Sequence, residues 1–289
     1  MKTIIIMPVK NEDWILPTTL KAAEQIADVI IVGDQMSTDR TREILAMSEK
    51  VHIVDNTEVG HSNKIRWKML DYMRENFGTD NLVLNLDADE ILPPYLFNKH
   101  KQMMLENITP GMIVSSPWVQ VWRTVHTYRK DNSVWNPLIN KKPFIFLDNG
   151  VMNYERTYVI NDHTSRVPQV GAAEMVEIRI PLLHLQFANW DRTQAKQAWY
   201  QCCEVLKGRN PAQVTQGYSI TRNETNIGLE PVPALWYEGV DIRTSLEECD
   251  VKTTWYYKEM VEMFDKHGID NFRQLNIWHI PELKEKLSE

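Results

Sequence analysis

The sequence predicts an α/β protein built on an open sheet flanked by helices, and three observations lead there. Short apolar, β-branched runs recur at Thr3–Met7, Val29–Val32, Val51–Val54 and Leu82–Leu86. Between them, apolar residues repeat every three to four positions, the spacing of one helical face. Polar and acidic residues gather just after the end of each run.

Each element has its own justification. Leu16, Leu20, Ala23 and Ile26–Ala27 share a helical side after the first run. Ser37 and Thr38 offer an N-cap to a helix over Thr41–Met47, with Asp39 where the helix dipole favours an acid. Ile65, Met69, Tyr72 and Met73 give the third helix its apolar stripe. Strand-helix alternation at this spacing demands parallel strands with right-handed crossovers. Beyond residue 110 longer strands are expected at Val114–Tyr128, Pro143–Leu147, Tyr154–Ile160 and Val176–Gln186, then a helix over Trp190–Leu206 closed by Gly208 and Pro211. Residues 211–250, rich in Pro, Gly, Asn and Thr, read as irregular chain. The last forty residues read as a small helical appendage packed on the main domain. The expected division is therefore one domain over 1–210 and an irregular linker with a helical C-terminal appendage over 211–289.

Composition narrows the function classes. The 289 residues are 43% hydrophobic and 25% charged, ordinary for a globular protein. A net charge of −7 without a basic stripe argues against nucleic acid as a partner. No apolar stretch approaches the ~18 residues that suggest a membrane span. The opening MKTIIIMPVKNE reads as a first strand, since its apolar run is short and leads into Pro8, Lys10 and Glu12. Three cysteines without metal spacing fit a reducing compartment, so a cytoplasmic place, in solution or peripheral at a membrane, is expected.

In open α/β sheets ligands bind beyond the carboxyl ends of the strands. There the chain places Pro8-Val9-Lys10-Asn11-Glu12, Gly33-Asp34, Asp55-Asn56 and Asp87-Ala88-Asp89-Glu90. An Asp-x-Asp pair alone is weak evidence, and a capped turn is the ordinary alternative. Acids crowded at a strand end repel one another unless a positive charge lies between them, and a divalent cation is the simplest one. Carboxylates suit Mg²⁺ or Mn²⁺, whose remaining positions go to water and substrate phosphates. The turn PVKNE carries no Gly-x-Gly-x-x-Gly, and the chain has no Gly-rich loop ending in Gly-Lys-Ser/Thr, so dinucleotide and P-loop chemistry lose their main support.

Three ordered segments, IIIMPVKNE at 4–12, VIIVGDQMSTDRT at 29–41 and LVLNLDADEIL at 82–92, resemble the GT-A glycosyltransferases of family 2. The resemblance implies a GT-A-like open mixed sheet and transfer of a sugar from a nucleoside-diphosphate sugar to an acceptor hydroxyl on a glycan, lipid-linked or protein acceptor. By it, Pro8, Val9, Asn11 and Glu12 line the nucleotide pocket, Asp34 binds the base or ribose, Asp87 approaches the ribose or sugar, and Asp89 ligates the metal. Lys64 falls where many relatives carry a basic residue. YVINDH at 158–163 and IPLLHLQFANW at 180–190 are similar to bacterial lipopolysaccharide-core-type enzymes and make His184 a candidate third metal ligand; a hydrogen-bonded core histidine is its structural alternative. Asp162, then Glu155, is the expected general base of an inverting reaction, although either is equally suited to an ion pair with Arg156 or Arg166. No Gln-x-x-Arg-Trp follows the sheet, which implies a non-processive enzyme. Trp118, Trp122 and Trp135 lie in the half expected to face the acceptor, and Lys141 and Lys142 could approach phosphate, although most buried Trp are core and most surface Lys have no such role. A sugar-phosphate nucleotidylyltransferase and a non-catalytic sugar- or protein-binding module are the rival readings.

Overall fold

The computed structural model describes residues 1–57, 64–131, 133, 135–154, 166–168, 174–219, 227–242, 246 and 248–287. Glu155 and Asp162, and with them the expected strand at 155–160, lie outside the described residues. In chain order the strands and α-helices are β1 (Thr3–Val9), α1 (Leu16–Glu24), β2 (Val29–Asp34), α2 (Thr41–Leu45), β3 (Val51–Asp55), α3 (Lys64–Phe77), β4 (Asn81–Asn85), β5 (Glu90–Ile91), α4 (Pro94–Asn107), β6 (Met112–Trp122), β7 (Thr127–Arg129), β8 (Lys141–Asp148), β9 (Glu174–Glu177), β10 (Leu182–Phe187), α5 (Trp190–Leu206), α6 (Pro211–Tyr218), β11 (Leu229–Pro231), α7 (Trp255–His267) and α8 (Pro281–Glu285). The chain groups into two compact units, Met1–Gln120 with Asn132–Leu185 and Pro231–Arg243, and Val121–Asp131 with Gln186–Glu230 and Thr244–Glu289.

In the first unit β1 runs parallel to β2 and β4, and β2 parallel to β3. β8 then enters antiparallel to both β4 and β6, so the sheet is open and mixed. Period-two alternation in β1 decides its two faces. Ile5, Met7 and Val9 join a core with Leu16, Leu20, Leu45 and Phe97, whereas Ile4 and Ile6 join another with Ile65, Met69 and Met73 of α3. Pro8 is tolerated in this central strand because the ladder to β4 ends at Ile6, where the carbonyl accepts from Leu86 N–H. Close approach of α3 to β2 depends on Gly33: a Cβ there would lie 2.3 Å from Ile65 Cγ1.

Three expectations fail locally. Ser37 and Thr38 do not cap α2; Arg40 holds the cap position, and it is Asp39 Oδ1 that accepts from Thr41 N–H at 2.9 Å. The stretch 114–128 is two strands, because Arg123 takes a left-handed φ of 64° and turns the chain back. Val176–Gln186 is likewise split into β9 and β10 by residues 178–181, which include Pro181.

The second unit is mainly helical. Asn189 caps α5 and Thr254 caps α7 through their side-chain oxygens. Ala195, Ala198, Cys202, Val214, Met260, Phe264 and Phe272 make its core. Pro211 does not continue a break after α5: Asn210 caps a new helix, α6, with Pro at its first position, where a missing N–H is harmless. Among the described residues, no helix is long and apolar enough to cross a membrane.

Candidate active site

The polar rim of the first unit is assembled from the carboxyl ends of β1, β2, β3 and β4, as the parallel ladders require. Pro8 and Val9 end β1, and Asn11 turns the chain with φ 52°, a conformation that Asn tolerates better than most residues. The loop after β1 is tied to the loop after β2 by side chains. Asn11 N–H donates to Ser37 Oγ at 2.9 Å, Glu12 N–H to Thr41 Oγ1 at 2.9 Å, and Asp13 N–H to Asp39 Oδ2 at 3.1 Å. In return Asn11 Oδ1 accepts from Thr38 N–H at 2.7 Å. Ser37 and Thr38 therefore lock the first loop instead of capping a helix.

Asp34 is fully buried at the end of β2. Its carboxylate accepts from Arg42 Nη1 at 2.7 Å and from Ser37 N–H at 3.3 Å, and Arg42 also reaches Asp55 at 2.8 Å. The two carboxylates raise the Arg42 guanidinium pKa above its usual range, so its charge is fixed. Lys64 is the first residue of α3.

The acids after β4 form one turn. Glu90 N–H donates to the Asp87 carbonyl at 3.1 Å, and the Glu90 side chain accepts from Asp87 N–H at 2.9 Å. Two arginines supply the positive charge that the crowding demands. Arg166 donates to Asp87 at 2.5 Å and to both Glu90 oxygens at 2.6 and 2.9 Å, while Arg66 donates to Asp87 at 3.2 Å and to Asn85. Burial pushes the Asp87 carboxyl up, but Arg166 and Arg66 outweigh it and leave the pKa below its ordinary value. For Asp87 and Glu90 the positive charge beside the acids is supplied by guanidinium groups.

Asp89 is held differently. β10 runs antiparallel to β5, placing His184 opposite Glu90, and Leu185 N–H donates to the Asp89 carbonyl at 2.9 Å. His184 Nε2 then lies 3.5 Å from Asp89 Oδ2. The other ring nitrogen, Nδ1, lies 2.7 Å from Gln120 Oε1, so with Nδ1 protonated it donates there and Nε2 turns its lone pair toward Asp89. Trp118 completes the arrangement: its indole stacks on His184 and its Nε1 donates to Glu90 at 2.7 Å.

Could this donor set hold a divalent cation? Among the described residues no group of three or more His, Cys, Asp or Glu could hold a metal. One carboxylate and one oriented imidazole do fit a small cation that takes its other ligands from water and substrate phosphates. Asp87, Asp89 and His184 are thus brought together, and Asp34 with Asn11 and Glu12 forms a second group. Arg66 and Gln120 were missed by sequence reasoning, which named Arg166 only as an ion-pair partner for Asp162 or Glu155 and gave Glu90, one of the strand-end acids, no role.

No curated protein matches the chain. Among solved structures, Staphylococcus aureus TarS (residues 1–349) is 19% identical over 42% of this chain and 36% of that one, TM-score 0.35. Glucosyl-3-phosphoglycerate synthase from Mycobacterium tuberculosis, solved with Mn²⁺, UDP and glucosyl-3-phosphoglycerate, is 21% identical over 40% and 44%, TM-score 0.31. A 4-diphosphocytidyl-2C-methyl-D-erythritol synthase is 14% identical over 50% and 74%, TM-score 0.36. The chain spans less than half the length of the first solved structures it matches. The model of glycosyl transferase family 2 matches residues 4–163, more than half of the chain, and covers all four strand-end segments from Pro8 to Glu90. The chain belongs to glycosyl transferase family 2.

Proposed function

We propose that this protein transfers a sugar, of the hexose type, from a nucleoside-diphosphate sugar to an acceptor hydroxyl, without processivity and with inversion at the anomeric carbon. Membership of the family supports the reaction class. The observation that carries the reading to particular residues is the Asp89–His184 pair, 3.5 Å apart, with Asp89 just beyond the carboxyl end of β4. Asn11, Glu12 and Asp34 would bind the nucleoside, with Pro8 and Val9 shaping the pocket floor, Lys64 near the phosphates and Asp87 near the ribose or sugar.

Asp89 and His184 would hold Mn²⁺ or Mg²⁺. Bound there, the cation would neutralise charge developing on the departing diphosphate. Gln120 keeps the His184 ring in the orientation that exposes Nε2, and Trp118 limits its tilt by stacking. Arg66 and Arg166 hold Asp87 ionised, so it accepts hydrogen bonds from sugar hydroxyls and does not donate to them. The acceptor hydroxyl must lose its proton as it attacks; Asp162, with Glu155 as second choice, takes that role by resemblance to the lipopolysaccharide-core-type enzymes. The acceptor class is a glycan, a lipid-linked glycan or a protein.

The test is incubation with a panel of nucleotide-sugars, with and without Mn²⁺. Slow metal-dependent hydrolysis of one member is expected. Pyrophosphate released from a nucleoside triphosphate and a sugar phosphate would overturn the reading in favour of a nucleotidylyltransferase, and failure to bind any nucleotide would favour a binding module.

A further inference from the structure

β8 runs antiparallel to β4, so its first residues lie at the rim where β4 ends. Lys142 occupies that place, paired with Ser116 of β6. Its ammonium lies 4.0 Å from the centre of the Trp118 ring, the same indole that stacks on His184 and donates to Glu90. The side chain is half-buried, yet among the described residues it has no hydrogen-bond acceptor and no carboxylate at ion-pair distance. The reason is visible in its neighbours. Both Asp87 oxygens are taken by Arg66 and Arg166, and both Glu90 oxygens by Arg166, Trp118 Nε1 and Asp87 N–H. Arg166 itself lies 5.8 Å from the Trp118 ring centre, so two cations share one aromatic platform. Partial burial and then the Arg166 charge weaken the hold of Lys142 on its proton. A half-desolvated ammonium beside a second cation, with the Asp87 and Glu90 oxygens already hydrogen-bonded to other donors, is stabilised by an incoming anion.

We propose that Lys142 is the primary contact of an oxyanion subsite, with Trp118 as its platform and Arg166 as its neighbouring charge, taking a phosphate group of a substrate. That the ligand is a substrate rests on the transferase reading; the subsite itself rests on this geometry alone. The phosphate belongs either to the diphosphate of the donor or to a phosphorylated acceptor.

The experiment uses the full chain without added metal. Orthophosphate and the nucleoside diphosphates UDP, GDP, CDP and dTDP are titrated by calorimetry and thermal shift, against chloride at equal ionic strength, for wild type, Lys142→Gln and Lys142→Arg. Wild type is expected to bind orthophosphate, Lys142→Gln to weaken it roughly tenfold or more, and Lys142→Arg to retain most of it. Equal loss of nucleoside diphosphate binding assigns the subsite to the donor. Unchanged nucleoside diphosphate binding, with orthophosphate still bound at nucleotide saturation, assigns it to a phosphorylated acceptor. Orthophosphate acting no differently from chloride, or binding Lys142→Gln as well as wild type, overturns the proposal. If no nucleotide-sugar is turned over while the Lys142-dependent phosphate binding persists, the transferase reading fails and the subsite stands.

Discussion

The Trp118 indole lies against the His184 imidazole with ring centroids 4.6 Å apart and 21° between their planes. One side chain thus links the acid turn, through its Nε1 bond to Glu90, with the imidazole that faces Asp89. The order of dependence is testable: Asp89 and His184 would touch the ion, while Gln120 and Trp118 act on His184.

Asp89→Asn and His184→Ala are each expected to abolish Mn²⁺-dependent nucleotide binding, with little change in unfolding of the metal-free protein. Gln120→Leu, which removes only the acceptor for Nδ1, should weaken Mn²⁺ binding by about ten- to a hundredfold. Calorimetric titration of Mn²⁺ in the presence of the best-binding nucleotide checks all three. Unchanged affinity in Gln120→Leu would show that the ring is fixed by other contacts.

The Arg166–Glu90 pair makes a separate prediction about stability. Glu90 is fully buried, so removing its guanidinium partner leaves a desolvated charge beside Asp87. Arg166→Met is expected to cost about 3 kcal/mol or more. The double variant Glu90→Gln/Arg166→Met should recover part of that loss, giving a coupling on the order of 1–3 kcal/mol in urea unfolding. Additive losses would mean that the two side chains are held independently.

How far the sequence carried this site depends on distance along the chain. β1 to β4 and their acids were legible because apolar alternation and strand-end polarity are local patterns. The wider region was less so: Arg123 reverses the chain inside what reads as one long strand, and no local pattern marks an arginine for a left-handed φ. Arg166 and Glu90 are 76 residues apart, and only the fold brings them together. For the same reason the charge balance was misread. Three acids within four residues are visible in sequence, whereas the arginines that neutralise two of them arrive from α3 and from a segment beyond β8.

At Gly33 the prediction concerns packing. The glycine does not have a left-handed φ, so alanine fits the backbone, but its Cβ would fall 2.3 Å from Ile65 Cγ1 and 2.5 Å from Ile65 Cδ1. Gly33→Ala should cost about 1–3 kcal/mol by forcing α3 away from β2. Combining it with Ile65→Ala should cost less than the sum of the two single changes, as measured by denaturant unfolding. Strict additivity would show that α3 shifts without resistance.

Tyr128 supplies a pH dependence. Its hydroxyl donates to Glu230 at 2.7 Å, and burial, then that bond and the Glu230 charge, push its pKa up to about 12. An unfolded tyrosine titrates near pH 10. The folded state therefore holds the proton more tightly. The stabilisation is complete below about pH 10 and is lost as pH rises toward about 12. Tyr128→Phe should be less stable than wild type near neutrality and lose less stability over that alkaline range. Parallel alkaline slopes in urea unfolding would contradict the assignment.

The bonds between the loop after β1 and the loop after β2 carry a consequence for redesign. Asn11, Glu12 and Asp13 each commit their backbone N–H to a side chain between Ser37 and Thr41, and Asn11 answers with its own side chain. Two segments some 25 residues apart therefore behave as a single replaceable cassette. Grafting one loop from a relative with a different nucleotide preference would strand three amide donors, whereas moving both together would carry the whole lock with them.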